Sequence, residues 1–186
     1  MTDKKYQRRL KVLIFDVYGT VVDWRTTIIR QGSALHPGLD WPAIADAWRN
    51  LYRPTIDRVT RGELGWRPFD ALQRLMLDEV LARLNCDGIT DGQRQYLAEL
   101  WSRMDPWPDV TSGLNRLKRD FVIAPLSNGS VWQLVSIAKH ADLPWDLVLS
   151  VEMFRAYQAR SSRIFGCART AAASAERGDD GGNPPL

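Results

Sequence analysis

Two short stretches carry side chains able to do chemistry. In "FDVYGT", residues 15–20, a lone carboxylate, Asp16, follows an apolar run and precedes Gly19 and Thr20. In "LSNGS", residues 126–130, Ser127 and Asn128 follow a second apolar run and precede Gly129. An isolated Asp at a strand end ordinarily caps a loop. Brought beside a hydroxyl, a carboxamide and Gly-exposed backbone N–H groups, the same carboxylate becomes a candidate nucleophile, desolvated and held by donors. Those donors also stabilise charge as it develops. A third candidate is the cation Arg49 in "ADAWRNLY", whose ordinary reading is a solvated helix face.

The surrounding pattern positions these residues. "LKVLIFDVYGT" reads as a buried parallel strand entering a loop. From "TTIIRQGSAL" to "LAELWSRMD" apolar residues recur at spacings of three and four, as in "WPAIADAWRNLY", "DALQRLMLDEVLARL" and "DGQRQYLAELWSRM". Asp40, ahead of Trp41-Pro42, predicts a helix start, and Asp70 and Thr90 are similar candidate caps. "PWPDV" breaks the pattern. A helix in "TSGLNRLKRD", the strand "FVIAPLSNGS", a helix in "VWQLVSIAKHA" and a third strand, "DLVLSV", follow. This order predicts an α/β fold: a Rossmann-like parallel sheet with a helical cap inserted after the first strand. Ligands in such sheets bind at the carboxyl ends of the strands, where Asp16, Ser127 and Asn128 fall.

Bulk properties narrow the class. The chain has 186 residues, 45% hydrophobic and 25% charged, the profile of a soluble domain with room for a subdomain. A net charge of +3, with basic residues scattered (Arg25, Arg30, Arg49, Arg53, Arg58, Arg61), argues against nucleic acid. The run "VLIF" is too short for a signal peptide or a membrane span. Cys86 and Cys167 are distant and in no metal-type spacing, which suggests neither a disulfide framework nor a zinc site and fits a reduced, cytoplasmic setting. Of eight Trp, five (Trp41, Trp66, Trp101, Trp107, Trp145) sit near Pro or Gly, which predicts corners packed by large rings. His36 and His140 show no acid–base partner in the sequence and read as structural, and Trp48 reads as core.

The pairing of "FDVYGT" with "LSNGS" around a helical insert resembles the haloacid dehalogenase superfamily. "FDVYGTVVDWRTTI", "ADAWRNLY", "DPWPDV" and "IAPLSNGS" together look like its 2-haloacid dehalogenase branch, a resemblance running from Lys11 to Tyr157. The resemblance implies that Asp16 attacks C2 of a short 2-haloacid and displaces halide, leaving an ester. It implies that Thr20 and Ser127 hold the nucleophile or the substrate carboxylate, and that Arg49 with Asn128 receives the halide. Phosphatases of the superfamily carry a second Asp two residues after the nucleophile; here that position is Tyr18. A phenol of ordinary pKa about 10 is a poor acid for a leaving alkoxide, whereas a halide needs no proton. Tyr18 therefore argues for carbon–halogen cleavage over phosphate transfer, and it is also expected to line an apolar substrate pocket. No metal and no cofactor are expected for that cleavage. The alternatives are a Mg²⁺-dependent small-molecule phosphatase of the same fold, or a catalytically inactive remnant. A homodimer is implied by resemblance alone.

The pattern departs from the family after "RAY". Gln158 stands where the family places the lysine of a Lys-Pro-Asp stretch that serves ester hydrolysis, and no apolar strand precedes Asp179 and Asp180. Written as CAA GCC CGA TCC TCG CGT ATA TTT, residues 158–165 read one base later as Lys-Pro-Asp-Pro-Arg-Val-Tyr. A frameshifted tail from about Gln158, with the final core strands missing, is the expectation. The expected division is a core of residues 1–22 and 108–157, a cap of residues 23–107, and an aberrant tail of residues 158–186.

Overall fold

The computed structural model describes residues 11–155 and Tyr157. The frameshift expectation falls on residues 158–186, outside the described residues. Strand β1 (Val12–Phe15) leads through a tight loop into four helices: α1 (Trp24–Leu35), α2 (Trp41–Thr60), α3 (Phe69–Arg83) and α4 (Asp91–Glu99). Helix α4 tightens into a 3₁₀ turn, Leu100–Ser102. The chain then returns through α5 (Val110–Leu117), β2 (Val122–Ser127), α6 (Val131–His140) and β3 (Leu149–Ser150). The strands are parallel in the order β1-β2-β3, with Val12 opposite Val122 and Phe15 opposite Pro125. This is the α/β sheet with a helical insert after its first strand that the sequence predicts.

Local chemistry explains most of the helix ends. Asp40 accepts from the Ala43 N–H at 3.0 Å, and Thr90 forms a reciprocal capping box with Gln93. Asp70 is not a cap: Pro68 holds that position in α3, and Asp70 sits in the first turn, where its charge meets the positive end of the helix dipole. Helix α2 runs well past "WRNLY", through Pro54 to Thr60. An interior Pro removes a backbone hydrogen bond. The helix continues because Thr55 and Ile56, just beyond it, are buried in the core.

The two crossings between sheet and helical layer lie side by side. The Asp23 N–H donates to the Asp105 carbonyl at 2.9 Å, and the Trp107 N–H donates to the Val21 carbonyl at 3.1 Å. Asp105 also accepts from Arg30 at 2.5 Å, from Thr27 at 3.2 Å and lies 3.3 Å from His140 Nε2. His140 thus has a carboxylate partner that the sequence hid, because the two residues are far apart along the chain. His36 lies 3.1 Å from Gln93 Oε1. Gly19, with φ of +91°, makes the turn out of β1 that an L side chain rarely adopts.

Three expectations fail around the sheet. β1 is not buried on both faces: Val12 and Ile14 are 45% and 52% exposed, beside an exposed Val122. A strand's apolar run shows that it prefers cover, whereas its actual burial depends on other elements. The third strand is two residues long, because the chain turns into a 3₁₀ turn at Val151–Phe154. Among the tryptophans near Pro or Gly, Trp41 and Trp101 are buried as expected, while Trp107 is exposed.

Candidate active site

The site forms where the carboxyl ends of β1 and β2 meet the inner face of the helical layer. Asp16 directly follows β1, and Ser127 ends the neighbouring parallel strand. The Ser127 hydroxyl donates to Asp16 Oδ1 at 2.9 Å. The Ser-Asn-Gly loop after β2 is itself pinned: Ser150 Oγ donates to the Gly129 carbonyl at 2.6 Å, and Glu152 accepts from the Val131 N–H at 2.8 Å. Ser130 then caps α6 in a reciprocal box with Gln133. Ser127 and Asn128 are consequently held by the fold on both sides.

A cavity of about 50 Å³ lies against these groups. Its polar wall is Asp16, Arg49, Ser127 and Asn128, and its aromatic wall is Tyr18, Tyr52, Phe69 and Trp101. That volume is the space of a water molecule or two, far below the ~300–1,000 Å³ of drug-sized pockets. Arg49 arrives from α2 and makes no ion pair among the described residues. Its guanidinium carbon sits 4.4 Å from the Tyr52 ring centroid and 5.9 Å from that of Trp24. A half-buried cation stacked on rings and facing a cavity is a natural anion receptor.

Of the six residues singled out by sequence, the structure brings five to this cavity: Asp16, Tyr18, Arg49, Ser127 and Asn128. Thr20 is exposed and does not line it. Asp16 is also more exposed than a desolvated nucleophile should be; its Ser127 bond is as expected, its dryness is not. Tyr18 packs between Phe69 and Trp101, ring centroids 6.2 and 5.5 Å away, and donates to the Trp101 carbonyl at 3.3 Å. Burial first, and then the charges of Asp16 and Asp70, raise its pKa well above the ordinary phenol range. Tyr18 therefore stays protonated and is a weaker acid than a free tyrosine.

Sequence reasoning missed Tyr52, Phe69 and Trp101. Tyr52 was within reach, since it lies three residues after Arg49 and hence on the same helix face. The other two come from separate elements that only the docked helical layer brings together. Trp101 is buried, and its indole N–H has no hydrogen-bond partner among the described residues. Trp48 is core, with its indole donating to the Gln73 carbonyl at 3.0 Å. A larger groove of about 480 Å³, lined by Asp70, Arg74, Glu99 and Trp132 among others, has Glu99 accepting from Gln95 Nε2 at 3.0 Å. Among the described residues no three His, Cys, Asp or Glu side chains cluster to hold a metal ion, and no helix is long and apolar enough to cross a membrane.

A nucleophile candidate at the tip of the first strand, Ser-Asn at the tip of the second and a helical layer between them define the haloacid dehalogenase type of α/β fold. Solved structures narrow this further. The chain is 34% identical to the L-2-haloacid dehalogenase PA0810, with a TM-score of 0.79 over 88% of this chain and 71% of that one. It is 34% identical to a defluorinating L-2-haloacid dehalogenase, with a TM-score of 0.74 over 84% and 69%. The L-2-haloacid dehalogenase from Xanthobacter autotrophicus is 25% identical, with a TM-score of 0.71 over 84% and 65%. No protein-family model and no curated protein matches. The chain belongs to the L-2-haloacid dehalogenase family.

Proposed function

We propose that this chain displaces halide from a short 2-haloacid. An Asp16 carboxylate oxygen attacks C2, the carbon–halogen bond breaks with its electron pair leaving on the halide, and an aspartyl ester forms. Arg49 and Asn128 receive the halide. Negative charge moves from Asp16 toward them during the step, so a cation there stabilises the transition state more than the ground state. Ser127 orients the attacking carboxylate. Water then attacks the ester carbonyl, giving the 2-hydroxyacid and a proton and restoring Asp16. That second step lacks the family's lysine at Gln158, so we expect it to be slow.

The observation that carries this reading is the cavity itself: a carboxylate held by Ser127 on one side, with an amide and a guanidinium that makes no ion pair among the described residues on the other. Tyr18 supports it over phosphate transfer, because burial makes this phenol a poorer proton donor to an alkoxide leaving group than even a free tyrosine. The division into a core of residues 1–22 and 108–157 and a cap of residues 23–107 belongs to the same proposal, supported by the paired crossings at Val21–Asp23 and Asp105–Trp107. Halide release from 2-chloropropionate by the native chain, absent in Asp16→Asn, tests it. Magnesium-dependent release of phosphate from simple monoesters, with no halide released, would replace it with the phosphatase reading.

A further inference from the structure

We propose that Tyr52 is a positioning residue of the anion cradle, fixing Arg49 and Asn128 at once. This inference rests on the reading that those two groups receive the halide. Tyr52 lies one turn after Arg49 on α2, so its ring sits under the guanidinium at 4.4 Å and restricts where the long arginine side chain can go. The phenol oxygen accepts a hydrogen bond from Asn128 Nδ2, across the boundary between helical layer and sheet. A carboxamide carries two N–H donors. Engaging one of them with Tyr52 fixes the plane of the amide.

The ring is braced in turn. Phe69 meets it edge-on, centroids 5.6 Å apart and planes at 86°. Burial, the largest influence, raises the Tyr52 pKa, outweighing Asn128 and Arg49, which lower it. The phenol therefore keeps its proton and accepts from Asn128 as a neutral hydroxyl. Tyr52 also lines the cavity. One side chain thus couples a cation delivered by the helical layer to an amide delivered by the sheet. The cradle is complete only when the two are docked.

The test is chloride binding, read by chloride NMR line broadening, in the native chain and in Tyr52→Phe, Tyr52→Leu, Asn128→Ala and Arg49→Ala. Tyr52→Phe keeps the ring under Arg49 and loses only the hydroxyl, so chloride affinity should fall about fivefold, the scale of one net hydrogen bond. Tyr52→Leu should lose more, because the guanidinium loses its platform as well. In an Asn128→Ala background the Tyr52→Phe effect should vanish, which a general loss of stability would not produce. Tyr52→Phe binding chloride as the native chain does overturns the proposal. So does a native chain without Arg49-dependent broadening, since there is then no cradle to position. The functional reading is tested separately on the same samples: Tyr52-dependent chloride binding without halide release from 2-chloropropionate would remove the activity and leave the cradle standing.

Discussion

Gly129 offers a sharp test of how the site is packed. A Cβ at this position would lie 2.8 Å from Tyr18 Oη, 3.0 Å from Tyr18 Cε2 and 3.1 Å from Leu134 Cδ2, well inside the ~3.5–4.0 Å of ordinary carbon contact. Tyr18 has little room to retreat, because Phe69 and Trp101 flank its ring and its hydroxyl is bonded to the Trp101 carbonyl. Overpacking of this kind costs about 1–3 kcal/mol. The added methyl also narrows the unfolded ensemble, which returns roughly 0.4–1 kcal/mol. Gly129→Ala should therefore destabilise by about 1.5 kcal/mol, lowering the thermal midpoint by roughly 3–6 °C for a domain of this size. Halide release should fall too, since Tyr18 has only a small cavity to move into. Urea unfolding midpoints of Gly129→Ala, Tyr18→Phe and the double variant provide the assay. Removing the hydroxyl deletes the nearest contact, so Tyr18→Phe should recover about half of the alanine penalty. A Gly129→Ala chain as stable as the native one, or a double variant showing no coupling, would refute the reasoning.

Ser127→Ala removes a donor to a charged acceptor, a bond of about 1.5–3 kcal/mol, and should slow halide release about ten- to hundredfold in single-turnover measurements. Gly32→Ala should be worse for folding than Gly129→Ala: its Cβ would fall 2.2 Å from the ring of the fully buried Trp41, for a cost of about 3 kcal/mol or more by urea titration. Asp146 has its pKa lowered from 3.8, first by the Lys118 hydrogen bond and then by the Ile123 N–H. A depressed carboxylate contributes stability that is present above its unfolded pKa and is lost as pH falls through the folded one. Asp146→Asn should therefore flatten the acid limb of the stability–pH curve, read from urea midpoints between pH 5 and about pH 2.

Much of this architecture is legible in the sequence, because it rests on local rules. The spacing of apolar residues marks α2 and α3, Asp40 and Thr90 mark helix starts, and "FDVYGT" and "LSNGS" mark strand ends that must converge in a parallel sheet. What escaped depends on partners distant in the chain. Val12 and Ile14 look like core until it is known which elements cover β1. Asp105 looks like a loop acid until Arg30, Thr27 and His140 surround it. Phe69 and Trp101 come from separate elements, and only docking of the helical layer turns them into cavity walls. The exposure of Asp16 escaped for the same reason, since a carboxylate's dryness is a property of what lies over it.

The most direct measurement is intact-protein mass spectrometry with parallel halide counting after incubation with 2-chloropropionate. A nucleophilic Asp16 beside a slow hydrolytic step predicts about one chloride released rapidly per chain, a mass gain of one carboxyethyl group, and that group on the peptide containing Asp16; Asp16→Asn should show neither. A native chain that gains no mass and releases no chloride, or an Asp16→Asn chain that still does both, would contradict the assignment of Asp16 as the nucleophile.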